Sequence, residues 1–424
     1  MVVFKIAPIQ FSCSRLQVTV DPRKVRDPKI IELARNFGFE LNIANQYVYK
    51  RENPLPSELV EVLTFLYKLN EEGRDVSKIV DFHYEGEFQF RSSSGQLGEE
   101  PCGVDAEDVF FIPVELTDTC FRRCAFCYAR TRIAEEPILE VNVSSLRDAL
   151  LEILGKIYQR VKERYEEDVR RREDPSRTYA IVVGIGGGEP LTVHDGTLFD
   201  VVVMIRRELE KFSKLVRSTL RGVKVYPKIT MTTSALHRLY TCTYLVDVLD
   251  GVALTYVQPV LQRYTSIVVN EYVPLLVREV AKRYKNVGVH FIVTRNVPEH
   301  VMYFLEGLLE DAVSHSEMHY IHVTPLHYIP VTMPELVPEK EELFRFLTDR
   351  LIPTVVPSCR GCDLSLLLDV CTVKRLFGLD YCSRAVRRGL FMQVRFDGKY
   401  YYVQRLRAGQ CPMTETRCPI EQMR

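Results

Sequence analysis

Between residues 108 and 357, short apolar runs alternate with stretches of helical periodicity, and this alternation limits the fold more than any other feature of the chain. The runs fall at 109–116, 179–185, 228–233, 251–256, 287–294 and 320–324. A strand, a returning helix and a second strand make a βαβ unit with parallel strands. Six such strands predict an α/β fold with an open, partial (βα)6 TIM-like barrel over residues 108–357. The first intervening helix is expected from about Ser144 to Arg172, with Leu146, Leu150, Ile153, Leu154, Ile157 and Val161 as its buried stripe. Its outer end, from Lys162 to Glu173, mixes both charge signs and reads as a solvated face rather than a nucleic-acid site.

Two segments flank this region. Residues 1–107 read as a small α+β domain of winged-helix-like character, with strand-like runs at 2–6 and 16–20. Within it Ser57 caps a helix with the stripe Leu59, Val62, Leu63, Leu66 and Leu69, and Gly73 ends that helix. A second short helix is expected at 76–80, a strand at 88–90, and a linker or exposed loop at 92–98. Such a domain either covers one end of the next unit or grips a peptide or partner. After Pro357 the βα rhythm stops, and residues 358–424 read as a cysteine-rich extension that covers the barrel mouth. There Asp397-Gly398 separates the runs 393–396 and 399–402, which signals a two-residue hairpin.

At 424 residues the chain exceeds what one hydrophobic core supports, so two or three structural units are expected. Fifty-six Lys and Arg balance fifty-six Asp and Glu, which leaves no global field to gather nucleic acid or an anionic membrane. No window approaches about eighteen uninterrupted apolar residues, and the first residues lack the pattern of a signal peptide. The protein reads as soluble and cytoplasmic, without a membrane partner. In that setting twelve cysteines point to metal ligation or redox chemistry rather than disulfides.

Cys120, Cys124 and Cys127 follow the first barrel strand in Cys-x3-Cys-x2-Cys spacing. Three thiolates satisfy three irons of a 4Fe-4S cube and leave the fourth open to an exogenous ligand, whereas electron-transfer clusters normally take four cysteines. Loops after the carboxyl ends of barrel strands build active sites, so the position agrees with the chemistry. Structural zinc is the plainer alternative, in a closed tetrahedral site commonly made of two short knuckles.

The run Cys120-Phe121-Arg122-Arg123-Cys124-Ala125-Phe126-Cys127 resembles the motif of the radical S-adenosylmethionine (radical SAM) superfamily. About sixty residues on, Gly186-Gly187-Gly188-Glu189-Pro190 resembles that superfamily's second element. The resemblance implies a 4Fe-4S cluster on Cys120, Cys124 and Cys127, with S-adenosylmethionine chelating the open iron and Phe126 against its adenine. It implies that Gly186, Gly187, Gly188 and Glu189 receive the methionyl ammonium, through a close-approaching backbone and an acid. Thr232, Thr233 and Ser234 would bind ribose hydroxyls or the carboxylate. The strand 287–293, with Val289, would flank adenine, and Asn296 follows at its end. The reaction implied is cleavage of the cofactor, by an electron from an external low-potential donor, to a 5'-deoxyadenosyl radical that takes hydrogen from a substrate. Such an enzyme is oxygen-sensitive.

The tail is similar to the auxiliary-cluster extensions of the superfamily, of SPASM or twitch type, in which cysteines flank a short hairpin. Here Cys382, Gly389, the hairpin and Cys411 follow in that order, but no cysteine comes soon after Tyr400-Tyr401-Tyr402. The similarity implies an auxiliary iron-sulfur cluster on Cys382, Cys411 and Cys418 plus either Cys362 or Cys371. Zinc held through Cys359 and Cys362 with a distant pair competes with it. Cys13, Cys102 and Cys242 stand alone and read as buried small hydrophobes. Three functions stay open: modification of a peptide or protein, a small-molecule or cofactor-biosynthesis reaction in a pocket near His290, His322 and His327, and a non-enzymatic zinc- or cluster-stabilised binding protein.

Overall fold

A computed structural model of the chain describes residues 4–6, 15–23, 25, 27–51, 56–74, 76, 80–85, 88–91, 97–100, 108–122, 124–125, 127, 132–133, 136–256, 277, 279–284, 286–295, 302–303, 305–307, 320–326, 334–355, 364–368, 370–378, 381–407, 409–411 and 418. Its contacts separate two compact units that interleave along the sequence. One takes residues 1–105 with 290–381, and the other takes 106–289 with 382–423. This grouping cuts across the three consecutive segments expected from the sequence.

The second unit carries the cysteine loop. Its strands are β1 (Val109–Thr117), β2 (Thr178–Gly187), β3 (Lys224–Thr233), β4 (Gly251–Tyr256), β5 (Gln393–Phe396) and β6 (Tyr401–Gln404). They lie side by side in the order β4-β3-β2-β1-β5-β6. The first four are mutually parallel, as the βα rhythm requires, and follow one another as sequence neighbours. Helices α1 (Val143–Arg171) and α2 (Asp195–Thr219) make the returns from β1 to β2 and from β2 to β3. Asn142 caps α1 by accepting the Ser145 N–H at 3.1 Å, and Arg172 ends it at φ 59°. Its expected stripe is buried throughout, and each such Leu or Ile contributes roughly 2 kcal/mol relative to exposure.

The hairpin β5-β6 is where the sequence reading needs correction. Four residues, Asp397 to Tyr400, separate the strands instead of two, since Phe396 is already opposite Tyr401. The Asp397 carboxylate accepts both the Lys399 and Tyr400 amides, at 2.9 and 2.7 Å, which holds those residues out of the ladder. β5 also pairs in parallel with β1, with Val394 opposite Val114. Tyr401 secures the hairpin by donating its hydroxyl to the Leu116 carbonyl at 2.6 Å.

In the first unit an antiparallel sheet takes the order Glu40–Leu41, Tyr47–Arg51, Arg15–Val20, Val80–Glu85. Helices Pro28–Asn36 and Pro56–Glu71 accompany it, and the rings of Phe39, Phe65 and Tyr49 pack at 5.1 to 5.5 Å. Ser57 lies inside the second helix rather than capping it. Gly73, at φ 73°, does end it. Of the short helix expected at 76–80, Val76 is helical, Val80 opens a strand, and 77–79 lie outside the described residues. The expected loop at 92–98 gives way at its end to a strand, Leu97–Glu100, paired with Phe88–Arg91. Three parallel strands complete the unit in the order Phe4–Ile6, Leu364–Leu368, Tyr320–Leu326. The βα rhythm therefore does not stop at Pro357: Leu364–Leu368 is a further parallel strand, and the helix Val370–Phe377 follows it. That helix is tied to Pro56–Glu71 through Asn70, which donates to the Leu376 carbonyl at 2.7 Å. The expected strand at 287–294 is present as Asn286–Ile292, at the point where the chain passes between the units. No helix among the described residues is long and apolar enough to cross a membrane.

Candidate cofactor site

The site begins where β1 ends. Thr117 and Thr119 join hydroxyls at 2.8 Å, and Thr119–Cys120 then pairs in parallel with Arg132–Ile133, which closes a loop around the cysteine triplet. Inside that loop the Arg122 N–H points at the Cys120 sulfur at 3.3 Å, and the Cys127 N–H donates to the Cys124 carbonyl at 2.9 Å. All three cysteines are half-buried and free of disulfides. Desolvation pushes the Cys120 thiol up to about 12, the Arg122 amide opposes the shift, and the charges of Glu189, Cys124 and Cys127 add to it. A thiol so placed stays protonated unless something positive takes the proton's place, which is what an iron does. The donor set therefore fits a metal cluster. Among the described residues no three His, Cys, Asp or Glu side chains lie close enough to share a single metal ion.

The glycine-rich turn is knitted onto the approach to this loop. Gly188 donates its N–H to the Thr117 carbonyl at 2.7 Å, and Glu189 donates to the Thr119 carbonyl at 2.8 Å. The β2 ladder slips register between Gly186 and Gly187 to allow it. At Gly188 a Cβ would run into the Thr119 carbonyl, and Gly187, at φ 95°, would press one into the Glu115 side chain. Glycine is required here by close packing against the strand that delivers the cysteines.

Glu189 is 2% exposed and accepts four hydrogen bonds. Its Oε1 takes the Thr233 hydroxyl at 2.6 Å and the Leu191 N–H at 3.2 Å. Its Oε2 takes both the N–H and the hydroxyl of Ser234 at 2.8 Å. A carboxylate offers about four lone-pair directions, so this one is filled by its own chain. An acid expected to receive an ammonium is thus found bracing the turn against the end of β3. Thr233 and Ser234 join it, while Thr232 alternates to the other side and is exposed. Val289 is fully buried, and no described contact connects it to this cluster. Phe126 and Asn296 lie outside the described residues.

In the tail, the Gly409 N–H donates to the Ser383 hydroxyl and the Cys418 N–H to the Gly409 carbonyl, both at 3.2 Å. These bonds gather the backbone beside Cys382, Cys411 and Cys418. Cys371 is half-buried in the helix Val370–Phe377, and Cys13, Cys102, Cys359 and Cys362 lie outside the described residues. Cys242 is buried, as a small hydrophobe would be. Burial pushes His290 down to about 4, His327 lies outside the described residues, and His322 is on the strand Tyr320–Leu326. The residues missed at sequence level are Glu115, on β1, and Arg395, on β5, whose charges meet at 2.9 Å with Glu115 6% exposed. An acid inside an otherwise apolar strand was the available signal.

No family model matches the chain, and no curated protein does. Among solved structures it is similar to coproporphyrinogen III oxidase (HemN) from Escherichia coli, described as a radical SAM enzyme, at 13% identity over 59% of this chain and a TM-score of 0.33. It spans 54% of that oxidase's length. It is also similar to Streptococcus suis SuiB bound to precursor peptide SuiA, at 11% identity over 87% of this chain and 68% of that one, with a TM-score of 0.37. A spore photoproduct lyase variant with bound AdoMet and dinucleoside spore photoproduct shares 11% identity over 60% of this chain and 75% of that one, with a TM-score of 0.35.

Proposed function

We propose that the protein is a radical SAM enzyme built on an open (βα)6 barrel, with Cys120, Cys124 and Cys127 holding a 4Fe-4S cluster. The observation that carries this reading is the junction of two distant motifs: the glycine-rich turn hydrogen-bonds to both residues that lead into the cysteine loop. Cys120, Cys124 and Cys127 would hold the cluster, which when bound would supply the electron for reductive cleavage of S-adenosylmethionine and so the hydrogen-abstracting chemistry. The chain's own work is to hold and aim. The backbone of Gly186, Gly187 and Gly188 forms the floor for the methionyl end, and Glu189 fixes that floor by bridging Leu191, Thr233 and Ser234. Cys382, Cys411 and Cys418 carry an auxiliary cluster, and an external low-potential donor reduces the enzyme. The substrate is a peptide or protein.

Anaerobic reconstitution with iron and sulfide, followed by assay of 5'-deoxyadenosine under strong reduction, tests the reading. Wild type is expected to form deoxyadenosine and hold about eight irons, four per cubane. Cys124→Ala should reduce product to background and retain about four irons. Product that persists in Cys124→Ala overturns the assignment, and zinc in place of iron with no product moves the protein to a metal-stabilised binding role.

A further inference from the structure

The sheet of the second unit has one face packed by helices and one that carries polar side chains toward the carboxyl ends of its parallel strands. Parallel partners share a face and side chains alternate along a strand, so the register assigns each residue to a side. Phe110, Ile112, Val114 and Leu116 of β1 are all within 1% of full burial on the helix side. On the other side, Glu115 is opposite Gly186 of β2, and extending the register by one residue brings Thr232 and Arg395 to the same level. The level beneath holds Pro113, Gly184, Thr230 and Gln393.

At its β2 end this face is open. Among the described residues nothing lies within 4 Å of where a Cβ on Gly186 would be, and the neighbouring Thr232 is exposed. One level down, the Phe111 ring lies 3.0 Å from a Cβ built on Gly184. At the Gly186 level Glu115 and Arg395 neutralise each other, so the face there favours a neutral polar ligand over an ion. One level down on β5, two residues before Arg395, Gln393 is 4% exposed and its Oε1 has no hydrogen-bond partner. Gln404 is directly opposite it on β6, on the same face, and its buried Oε1 also lacks a partner. Buried carboxamide oxygens are almost always satisfied, and an orphan costs the fold free energy with no return. Two facing each other across one hairpin form an acceptor pair that awaits donors.

We propose that the β5-β6 end of this face is a substrate site in which Gln393 and Gln404 accept hydrogen bonds from amide N–H groups of a peptide. Facing side chains across an antiparallel pair stand about 5 Å apart at Cβ, within reach of neighbouring N–H groups of one short segment. The inference deepens the peptide reading of the proposed function, but binding needs neither cluster nor cofactor.

The test uses the full chain, N-acetylalanine N-methylamide as probe, and N-acetylalanine methyl ester, which lacks one of the two N–H donors, as control. Saturation transfer from protein to the amide is expected to exceed that to the ester. Gln393→Leu should lower the amide signal about fivefold, the ratio one net hydrogen bond supports. The same variant should leave the thermal midpoint unchanged or raise it, because it removes an unsatisfied acceptor. Equal signals for amide and ester, no signal for either, or a midpoint several degrees lower in Gln393→Leu overturns the proposal. Absence of Cys124-dependent deoxyadenosine would sink the radical reading and leave this result standing.

Discussion

Glu189 and Gln393 are both buried polar side chains of the same unit, and they differ in what their oxygens do. Glu189 accepts four hydrogen bonds from its own chain, whereas the Gln393 Oε1 accepts none. A filled carboxylate belongs to the frame, since folding alone accounts for every lone pair. An empty acceptor is left over by folding, and a ligand is the natural use of the remainder. The resemblance singles out the acid as a cofactor contact and passes over the carboxamide, whereas it is the carboxamide oxygen that folding leaves open.

The largest effect expected outside the cysteine loop is that of Glu189→Ala. It leaves the Thr233 hydroxyl, the Ser234 amide and hydroxyl and the Leu191 amide without their acceptor. A few orphaned buried donors cost about 3 kcal/mol or more. That corresponds to a fall in thermal midpoint of about 6 to 12 °C, which calorimetry of the apoprotein reads directly. Should the variant keep wild-type stability yet lose affinity for S-adenosylmethionine, Glu189 is a ligand group after all and the contrast with Gln393 fails.

A smaller loss is expected at the opposite end of the helix-covered face. Arg177 grips Asp168 with two hydrogen bonds, at 2.6 and 3.1 Å, and reaches Asp108 at 3.8 Å. The Arg177 hydrogen bonds hold the Asp168 carboxyl below its ordinary range against the opposing cost of burial, and the charges of Arg177, Arg164 and Arg171 assist. Its contribution to stability is therefore complete above the unfolded value near pH 4 and is lost as the pH falls toward the depressed folded value. Arg177→Met should cost about 2 kcal/mol at pH 7, below a fully buried pair because Arg177 is 28% exposed. Urea melts at pH 7 and pH 3 should show the gap to wild type narrowing in acid. A gap of equal size at both would mean that Arg177 acts through packing and not through the charge of Asp168.

Much of this arrangement is written in local sequence. The strand and helix positions follow from periodicity, and the two motifs from spacing, because both are properties of neighbours along the chain. The meeting of Glu189 with Thr233 and Ser234 is not local: it depends on β3 pairing with β2 so that Thr230 is opposite Gly184. The parallel docking of β5 beside β1 is hidden for the same reason, since the sequence around Asp397-Gly398 specifies a hairpin but not its neighbour. Glu115 was missed because its partner, Arg395, comes 280 residues later and is aligned by the pairing of Val394 with Val114. The strand Leu364–Leu368 escaped notice because the cysteines around it suggested a change of architecture that the backbone does not make.

The smallest effect separates holding the hairpin from recognising a ligand with it. Tyr401 projects to the helix-covered side, where its hydroxyl donates to the Leu116 carbonyl, while Gln393 and Gln404 project to the other. Tyr401→Phe deletes one buried hydrogen bond and leaves the ring in place, so it should cost about 1 kcal/mol. It should not alter the preference for the amide probe over the ester, because the acceptor pair stays where the β5-β6 ladder sets it. Gln393→Leu should do the reverse, erasing the preference at no cost in stability. Thermal midpoints and saturation transfer on the same two variants give the four numbers required. If Tyr401→Phe removes the amide preference while the midpoint barely moves, the two faces of the hairpin are not independent, and the division between frame and leftover acceptor must be redrawn.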